Sequence, residues 1–318
     1  MSPDHLVRRA AEARYEAPGG WATAASGYRR WRVVDESGGA VHTGFGVCAL
    51  EPGGSVPAHV HSFEESAYVL DGVGVLDTAE GSFRLRPGDY ALLPVGVAHA
   101  WRNDSRPGAE GRLTPGGAEP RTGDGVFRWA EMQGPVPRER FDGDTVLVPA
   151  LPAREALAID VRDPRTRRLG NITPAHMDAA KQAQSMLAVS ASMRTALLLY
   201  GGITVKMMVD SDLGARLTTM FMVQYDPDGA AGPHDHPFEE TYMFLEGTVD
   251  ATFDGERYRL EAGDVAWAGV GCVHGFANAG GGPLRWLETQ SPQPPGRHSY
   301  RFVRDWAYLR ERLGGERS

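Results

Sequence analysis

The sequence predicts an all-β-dominated fold written as two copies of one backbone plan, with a few flanking helices. Three observations carry that expectation. His59, His61, Glu65 and His99 form a set that returns as His234, His236, Glu240 and His274, and the step from second to third histidine is 99 − 61 = 274 − 236 = 38 residues in both. Alternating runs broken by turn residues cover about 28–103 and 197–300. The 40 glycines and 22 prolines suit many short strands joined by turns.

The elements follow in chain order. Ser2 and Pro3 read as an N-cap followed by proline at the first helical position, so residues 1–27 are expected to form an N-terminal arm with a helix. Residues 28–141 form the first strand-rich domain, in which Gly46 to Gly54 leads a strand into a turn ahead of the histidine pair, as Met222 to Gly229 does in the second. Gly72 to Gly88 and Gly247 to Gly263 each span 16 residues, room for one hairpin. Phe-Arg-Trp-Ala-Glu-Met-Gln-Gly-Pro at 127–135 echoes Leu-Arg-Trp-Leu-Glu-Thr-Gln-Ser-Pro at 284–292, a matching final strand and exit. Asn103 to Phe127 is 24 residues where Asn278 to Leu284 is 6, so 24 − 6 = 18 extra residues rich in Gly, Pro and charge fall within 104–123. They read as a surface excursion or as a lid over the first pocket. Residues 142–196 are the connecting segment, with a helix expected over 174–191 behind Thr173 and Pro174; 197–305 repeat the strand-rich domain and 306–318 form a tail.

Each histidine set has a chemical logic. Side chains at i and i+2 of a strand share a face, so His59 with His61, and His234 with His236, turn two imidazoles to one spot. A glutamate four residues on returns a carboxylate across a short turn, and the distant histidine closes the set. Three imidazole nitrogens and one carboxylate oxygen suit a divalent transition metal at each of two sites, Fe, Mn or Ni favoured and Zn or Co also accepted. An octahedral ion keeps two positions open for substrate or O2.

These residues resemble the two motifs of the cupin superfamily. Gly53, His59, His61, Glu65 and Gly72 satisfy G-x5-H-x-H-x3-E-x6-G, and Gly88, Pro94, Gly96, His99 and Asn103 satisfy G-x5-P-x-G-x2-H-x3-N. The second copy has Gly229 one residue too close to His234 and Gly269 in place of the proline, while Gly247, Gly263, Gly271 and Asn278 keep their places. The resemblance implies a bicupin: two double-stranded β-helix (jelly-roll) barrels in one chain. It does not imply one reaction, since cupins host many. The three-His, one-Glu set is similar to that of quercetin-type dioxygenases and departs from gentisate-type bicupins, whose site lacks the Glu. The substrate-binding Arg that oxalate decarboxylase carries three residues before the first His is replaced here by Val56 and Ala231, which argues against oxalate.

Alternation also suggests what lines each pocket. Two residues after the ligand glutamate stands Tyr242 in the second barrel and Ala67 in the first, and a phenol there can donate a hydrogen bond or a proton. Trp101 and Phe276, two residues after the last ligands, read as pocket wall. A shift of 175 residues aligns Val47 with Met222 and Ala49 with Gln224; with that face inward, the second pocket gains the Gln224 amide and thioether walls from Met220 and Met222. Lys206 and His298 are candidate substrate or lid contacts. Cys48 and Cys272 fall at non-equivalent places and read as buried structural thiols.

With 33 basic and 41 acidic residues, the net charge of −8 argues against nucleic acid or an anionic membrane as partner. The first residues lack an apolar signal core and no apolar run approaches the ~20 residues that span a bilayer. The expectation is a soluble, cytoplasmic enzyme, a candidate homodimer, acting on a small molecule with O2. Its leading reading is a dioxygenase for a chelating enol, phenol or carboxylate, with turnover in the second barrel and Tyr242 and Gln224 as catalytic residues. The alternative is a non-oxidative Mn or Zn lyase, isomerase or aminohydrolase. A non-enzymatic binding or storage role accords less well with eight intact ligand positions.

Overall fold

A computed structural model describes residues 4–105, 125–138, 144–152, 154–160, 162–178, 200–293 and 301–302. Most of the 104–123 insertion, the 174–191 helix beyond Asp178, His298 and the 306–318 tail lie outside the described residues. The chain divides into two compact units, one of Ala11–Ile172 with Met208–Thr218, the other of Met1–Ala10, Thr173–Met207 and Thr219–Ser318.

Each unit is one curled antiparallel-rich sheet wound about a long strand. In the first, the 18-residue strand Gly44–His61 pairs along its first half with Phe127–Gly134 and Ser26–Val34, and along its second half with His99–Arg102 and Thr145–Leu147. Glu64–Asp71 and Asp89–Leu93 extend the sheet beyond Phe127–Gly134, and Gly74–Thr78 with Ser82–Leu85 forms the expected hairpin. In the second unit Thr219–Asp235 plays the same part. It pairs with Leu284–Ser291, then with His274–Asn278; Glu239–Glu246 and Val265–Ala268 extend one side, and Thr248–Phe253 with Glu256–Glu261 is the hairpin. Both repeats leave their final strand through a cis X-Pro bond, at Gly134-Pro135 and Ser291-Pro292.

Equivalent registers make the repeat concrete. His59 lies opposite His99 and Glu65 opposite Gln133; His234 lies opposite His274 and Glu240 opposite Gln290. In both copies the ladder slips just before the histidine pair, between Val56 and His59 and between Ala231 and His234. A bulge of this kind re-aims side chains. It shifts the phase of alternation, so the interior face carries His59 and His61 after the slip but Cys48, Leu50 and Val56 before it. In the second copy the interior carries Phe221, Val223, Tyr225 and Ala231 before the slip.

That phase shift corrects the expectation for Gln224, Met220 and Met222. They alternate with Phe221, Val223 and Tyr225 and therefore occupy the opposite face of the strand, away from the metal set. The two methionines are buried there, while the Gln224 amide holds Arg285 through Oε1, at 3.1 and 3.0 Å, and donates to the Met177 carbonyl at 3.4 Å. Lys206 likewise alternates with Ile203 and Val205, which pack on the interior cluster.

The N-terminus departs from the expected helix. One residue into the described chain the arm becomes the strand His5–Arg8, paired antiparallel with Val265–Ala268. Ladder bonds to an open edge outweigh the local cap signal of Ser2 and Pro3. Residues up to Ala10 thus group with the second barrel, whereas the rest of the proposed 1–27 arm groups with the first. Pro174–Met177 does begin a turn of 3-10 helix, with the Thr173 amide donating to His176 Nδ1 at 3.0 Å.

Candidate metal centres

The strand pairings bring the eight predicted ligands into two buried sets. In each, ring nitrogens of the three histidines lie within 4.8 Å of one another. Glu65 Oε2 is 2.9 Å from His61 Nε2 and 3.6 Å from His99 Nε2. Glu240 Oε2 is 3.2 Å from His236 Nε2 and 3.3 Å from His274 Nε2.

The opposite ring nitrogens are already committed. The Nδ1 atoms of His59, His99, His234 and His274 meet the carbonyls of Pro57, Val97, Gly232 and Cys272 at 2.6, 3.0, 2.8 and 3.0 Å, and His61 Nδ1 meets Thr145 Oγ1 at 2.7 Å. A carbonyl only accepts, so those four rings carry their proton on Nδ1 and turn an Nε2 lone pair inward. Nε2 of His99, Nε2 of His274 and Oε1 of Glu65 are buried without a hydrogen-bond partner. Such atoms are costly to leave unsatisfied, and a divalent cation at each focus suits this donor set.

The two sets hold a proton differently. Burial, reinforced by His99 and His61, brings His59 down to about 3. Burial and His274 bring His234 to about 3, and burial brings His274 to about 4. In the first set burial also pulls His99 down, but Glu65 outweighs it and the net shift is upward; Glu65, raised by burial, is carried well below the usual carboxylate range by His99 and His61. In the second set burial dominates and lifts the Glu240 carboxyl to about 7, against hydrogen bonds from Tyr242 and Gln290. A metal ion must displace that proton. Apparent affinity at the second site is therefore expected to fall about a hundredfold between pH 8 and pH 5, read by chelator competition on His61→Ala protein; a flat response would contradict the assignment.

Around the ligands, the structure places Tyr242 inside the second barrel, its phenol donating to Glu240 Oε2 and its ring 5.7 Å from that of His274. Burial first, then the Glu240 charge, holds the phenol well above its ordinary value, so it is neutral. Gln290 Nε2 donates to Glu240 Oε1 at 2.6 Å, and Trp286 Nε1 to Glu288 Oε2 at 2.9 Å. Phe276 packs 4.8 Å from Tyr242 and Trp101 stacks 4.9 Å from Trp129; both are interior wall.

Several neighbours were not singled out from the sequence. Phe63 stacks on His61 at 4.1 Å and Phe238 on His236 at 4.3 Å, each two residues after the ligand, and Trp21 stacks on His59 at 4.5 Å. The first barrel also holds a buried polar chain. Arg30 on Ser26–Val34 lies 3.2 Å from Glu131 Oε1 and donates to Gln133 Oε1 at 3.0 Å, while Cys48 and Trp129 donate to Glu131 Oε2 at 3.2 and 3.3 Å. Gly46 makes the space: a Cβ there would lie 2.6 Å from Arg30 Nε. The signal for Glu131 and Gln133 was the Trp-x-Glu-x-Gln pattern shared with Trp286, Glu288 and Gln290. Arg30 had none, and the 175-residue shift puts Val205 in its place.

Two curled barrels, each focusing three histidines and a glutamate on one buried point, define a bicupin with two candidate metal sites. The sequence comparison agrees: the cupin domain model matches residues 46–109 and 221–289, and the chain belongs to that family. The tetracenomycin polyketide synthase protein TcmJ of Streptomyces glaucescens is 30% identical over 118 residues, 37% of this chain and 74% of that protein. Among solved structures, Lactobacillus farciminis oxalate decarboxylase matches with a TM-score of 0.58 at 15% identity, over 98% of this chain and 93% of that one. A putative glyoxylate-induced protein from Pseudomonas aeruginosa gives 0.57 at 17% identity, over 94% and 93%. Salicylate 1,2-dioxygenase from Pseudaminobacter salicylatoxidans gives 0.57 at 14%, over 86% and 73%. At these identities the structural likeness speaks for the fold alone. Among the described residues no helix is long and apolar enough to cross a membrane.

Proposed function

We propose that this bicupin is a metal-dependent dioxygenase acting on a small chelating enol, phenol or carboxylate, and that the second barrel carries turnover. The observation that supports it is the convergence of His234, His236, His274 and Glu240 in a buried site whose adjoining groups are a neutral phenol and aromatic rings. A bound Fe, Mn or Ni ion would supply Lewis acidity, open coordination positions and a redox partner for O2. The chain's own residues would do the rest. Gln290 and Tyr242 fix the Glu240 carboxylate between them, Tyr242 holds an exchangeable proton one hydrogen bond from the ligand oxygen, and Phe253 and Phe276 limit water. Gln224, on the opposite face, has no part in this chemistry.

A second reading is non-oxidative, a lyase, isomerase or aminohydrolase in which the cation polarises a carbonyl. The likeness to a polyketide synthase protein favours it, because polyketide chains are rich in enolisable carbonyls. Oxygen uptake with enol and phenol substrates on Fe-, Mn- or Ni-loaded protein separates the two readings: uptake matching product supports the dioxygenase, and undiminished product under strict anaerobiosis overturns it. Once activity is found, Glu240→Ala is expected to abolish turnover and Glu65→Ala to retain it, with fold and metal content checked in each. The reverse pattern would assign turnover to the first barrel.

A further inference from the structure

We infer that His5, Asp254 and Cys272 form a third metal site, for a zinc-like cation, that fastens the N-terminal strand to the second barrel. It is separate from both three-histidine sets and rests on geometry that the barrel repeat does not generate, since His5 lies outside the repeated region. One nitrogen of His5, one carboxylate oxygen of Asp254 and the Cys272 sulfur lie within 4.8 Å of one another.

The strand His5–Arg8 places His5 opposite Ala268 on the barrel edge. There its ring stacks on Phe253 at 5.5 Å and 15° between planes, with only a tenth of the side chain exposed. The tautomer follows from a relay. Tyr258 donates its hydroxyl proton to Glu256 Oε2 at 2.6 Å, so the phenol oxygen accepts from His5 Nε2–H at 2.9 Å. That leaves Nδ1 facing Asp254 Oδ2 at 4.0 Å, beyond hydrogen-bond reach. A second-sphere acceptor that fixes the ring and frees the other nitrogen is how metal-binding histidines are held.

The other two donors are equally constrained. Asp254 sits at φ +48°, unusual for a residue other than glycine, and is held by both its backbone and its side chain: its amide donates to the Val273 carbonyl at 2.7 Å and its Oδ1 accepts from the Val273 amide at 2.9 Å. Oδ2 is thereby aimed at His5. Cys272 is 2% exposed, and its amide is anchored on the Gly269 carbonyl at 3.1 Å. A thiolate, an imidazole and a carboxylate, with water as the fourth ligand, are a donor set that zinc or cobalt accepts in tetrahedral geometry. On binding, the thiol proton leaves to solvent.

The test uses the full chain loaded with cobalt(II). Neither three-histidine set contains a thiol, so a near-ultraviolet thiolate-to-cobalt charge-transfer band reports this site whatever the other two hold. The wild type is expected to show the band, and Cys272→Ser and His5→Gln to lose it by about five-fold or more while both proteins keep the wild-type far-ultraviolet dichroism and the cobalt of the other sites. His5 stands on a separate strand, so His5→Gln leaves the Cys272–His274 segment intact and separates loss of this site from disturbance of its neighbour. Absence of the band in the loaded wild type overturns the inference. So does a band that survives Cys272→Ser, which would place the thiolate at Cys48.

Discussion

His61→Ala and His236→Ala are each expected to remove about one equivalent of metal from the cupin sites and to leave the other site filled. Both side chains are buried, and each lies about 3 Å from the ligand carboxylate of its own set. Losing one of four donors also strands the glutamate. In the first set Glu65 would keep only His99, at 3.6 Å, as a nearby partner within its set; in the second, Glu240 would still be tied by Tyr242 and Gln290. The first barrel should therefore lose more stability when its ligand is removed. Metal analysis per chain, with thermal unfolding of each variant, checks both parts. Loss of both equivalents from one substitution would mean that the sites are not independent.

The eight residues of the two candidate sets were legible because each His-x-His pair and its glutamate lie within one strand and the turn that follows, while the distant histidine, on another strand 38 residues on, was marked by the repeat of that spacing in both copies. Tyr242, Phe276 and Trp101 were legible for the same reason. Each lies two residues from a ligand on the same strand, with no irregularity between. Gln224, Met220 and Met222 were misplaced because a register slip at Ala231/His234 separates them from the histidines, and a one-residue slip exchanges the faces of everything upstream. The first copy slips in the same way between Val56 and His59, so the bulge belongs to the shared backbone plan and not to the shorter Gly229-to-His234 spacing of the second copy. The N-terminal strand was illegible for a different reason: its partner, Val265–Ala268, is more than 250 residues away, and no local pattern encodes that pairing.

Arg30 is the strongest case of a residue that pattern could not supply, and its removal should be costly. Its guanidinium is largely enclosed in the first barrel, over the missing side chain of Gly46, and it faces Glu131 at 3.2 Å. Glu131 accepts from Cys48, Trp129 and Gln133, all neutral donors, so Arg30 supplies the positive charge within this chain of contacts. Deleting one member of a buried ion pair leaves an uncompensated charge and typically costs about 3–5 kcal/mol. Arg30→Met is accordingly expected to destabilise the first barrel by about 3 kcal/mol, visible as a lower urea midpoint. Adding Glu131→Gln should recover part of that loss, because it removes the stranded charge while keeping an acceptor for Trp129 and Cys48. The second barrel has Val205 at the aligned position and keeps Glu288 beneath its metal set, where burial and the Glu240 charge hold that carboxyl well above its ordinary value. One barrel thus sets a cation against its buried carboxylate, while the other has an apolar side chain at the aligned position. If Arg30→Met lowers the unfolding free energy by less than about 0.5 kcal/mol, the guanidinium is dispensable and the buried chain is not what holds the first barrel's interior in place.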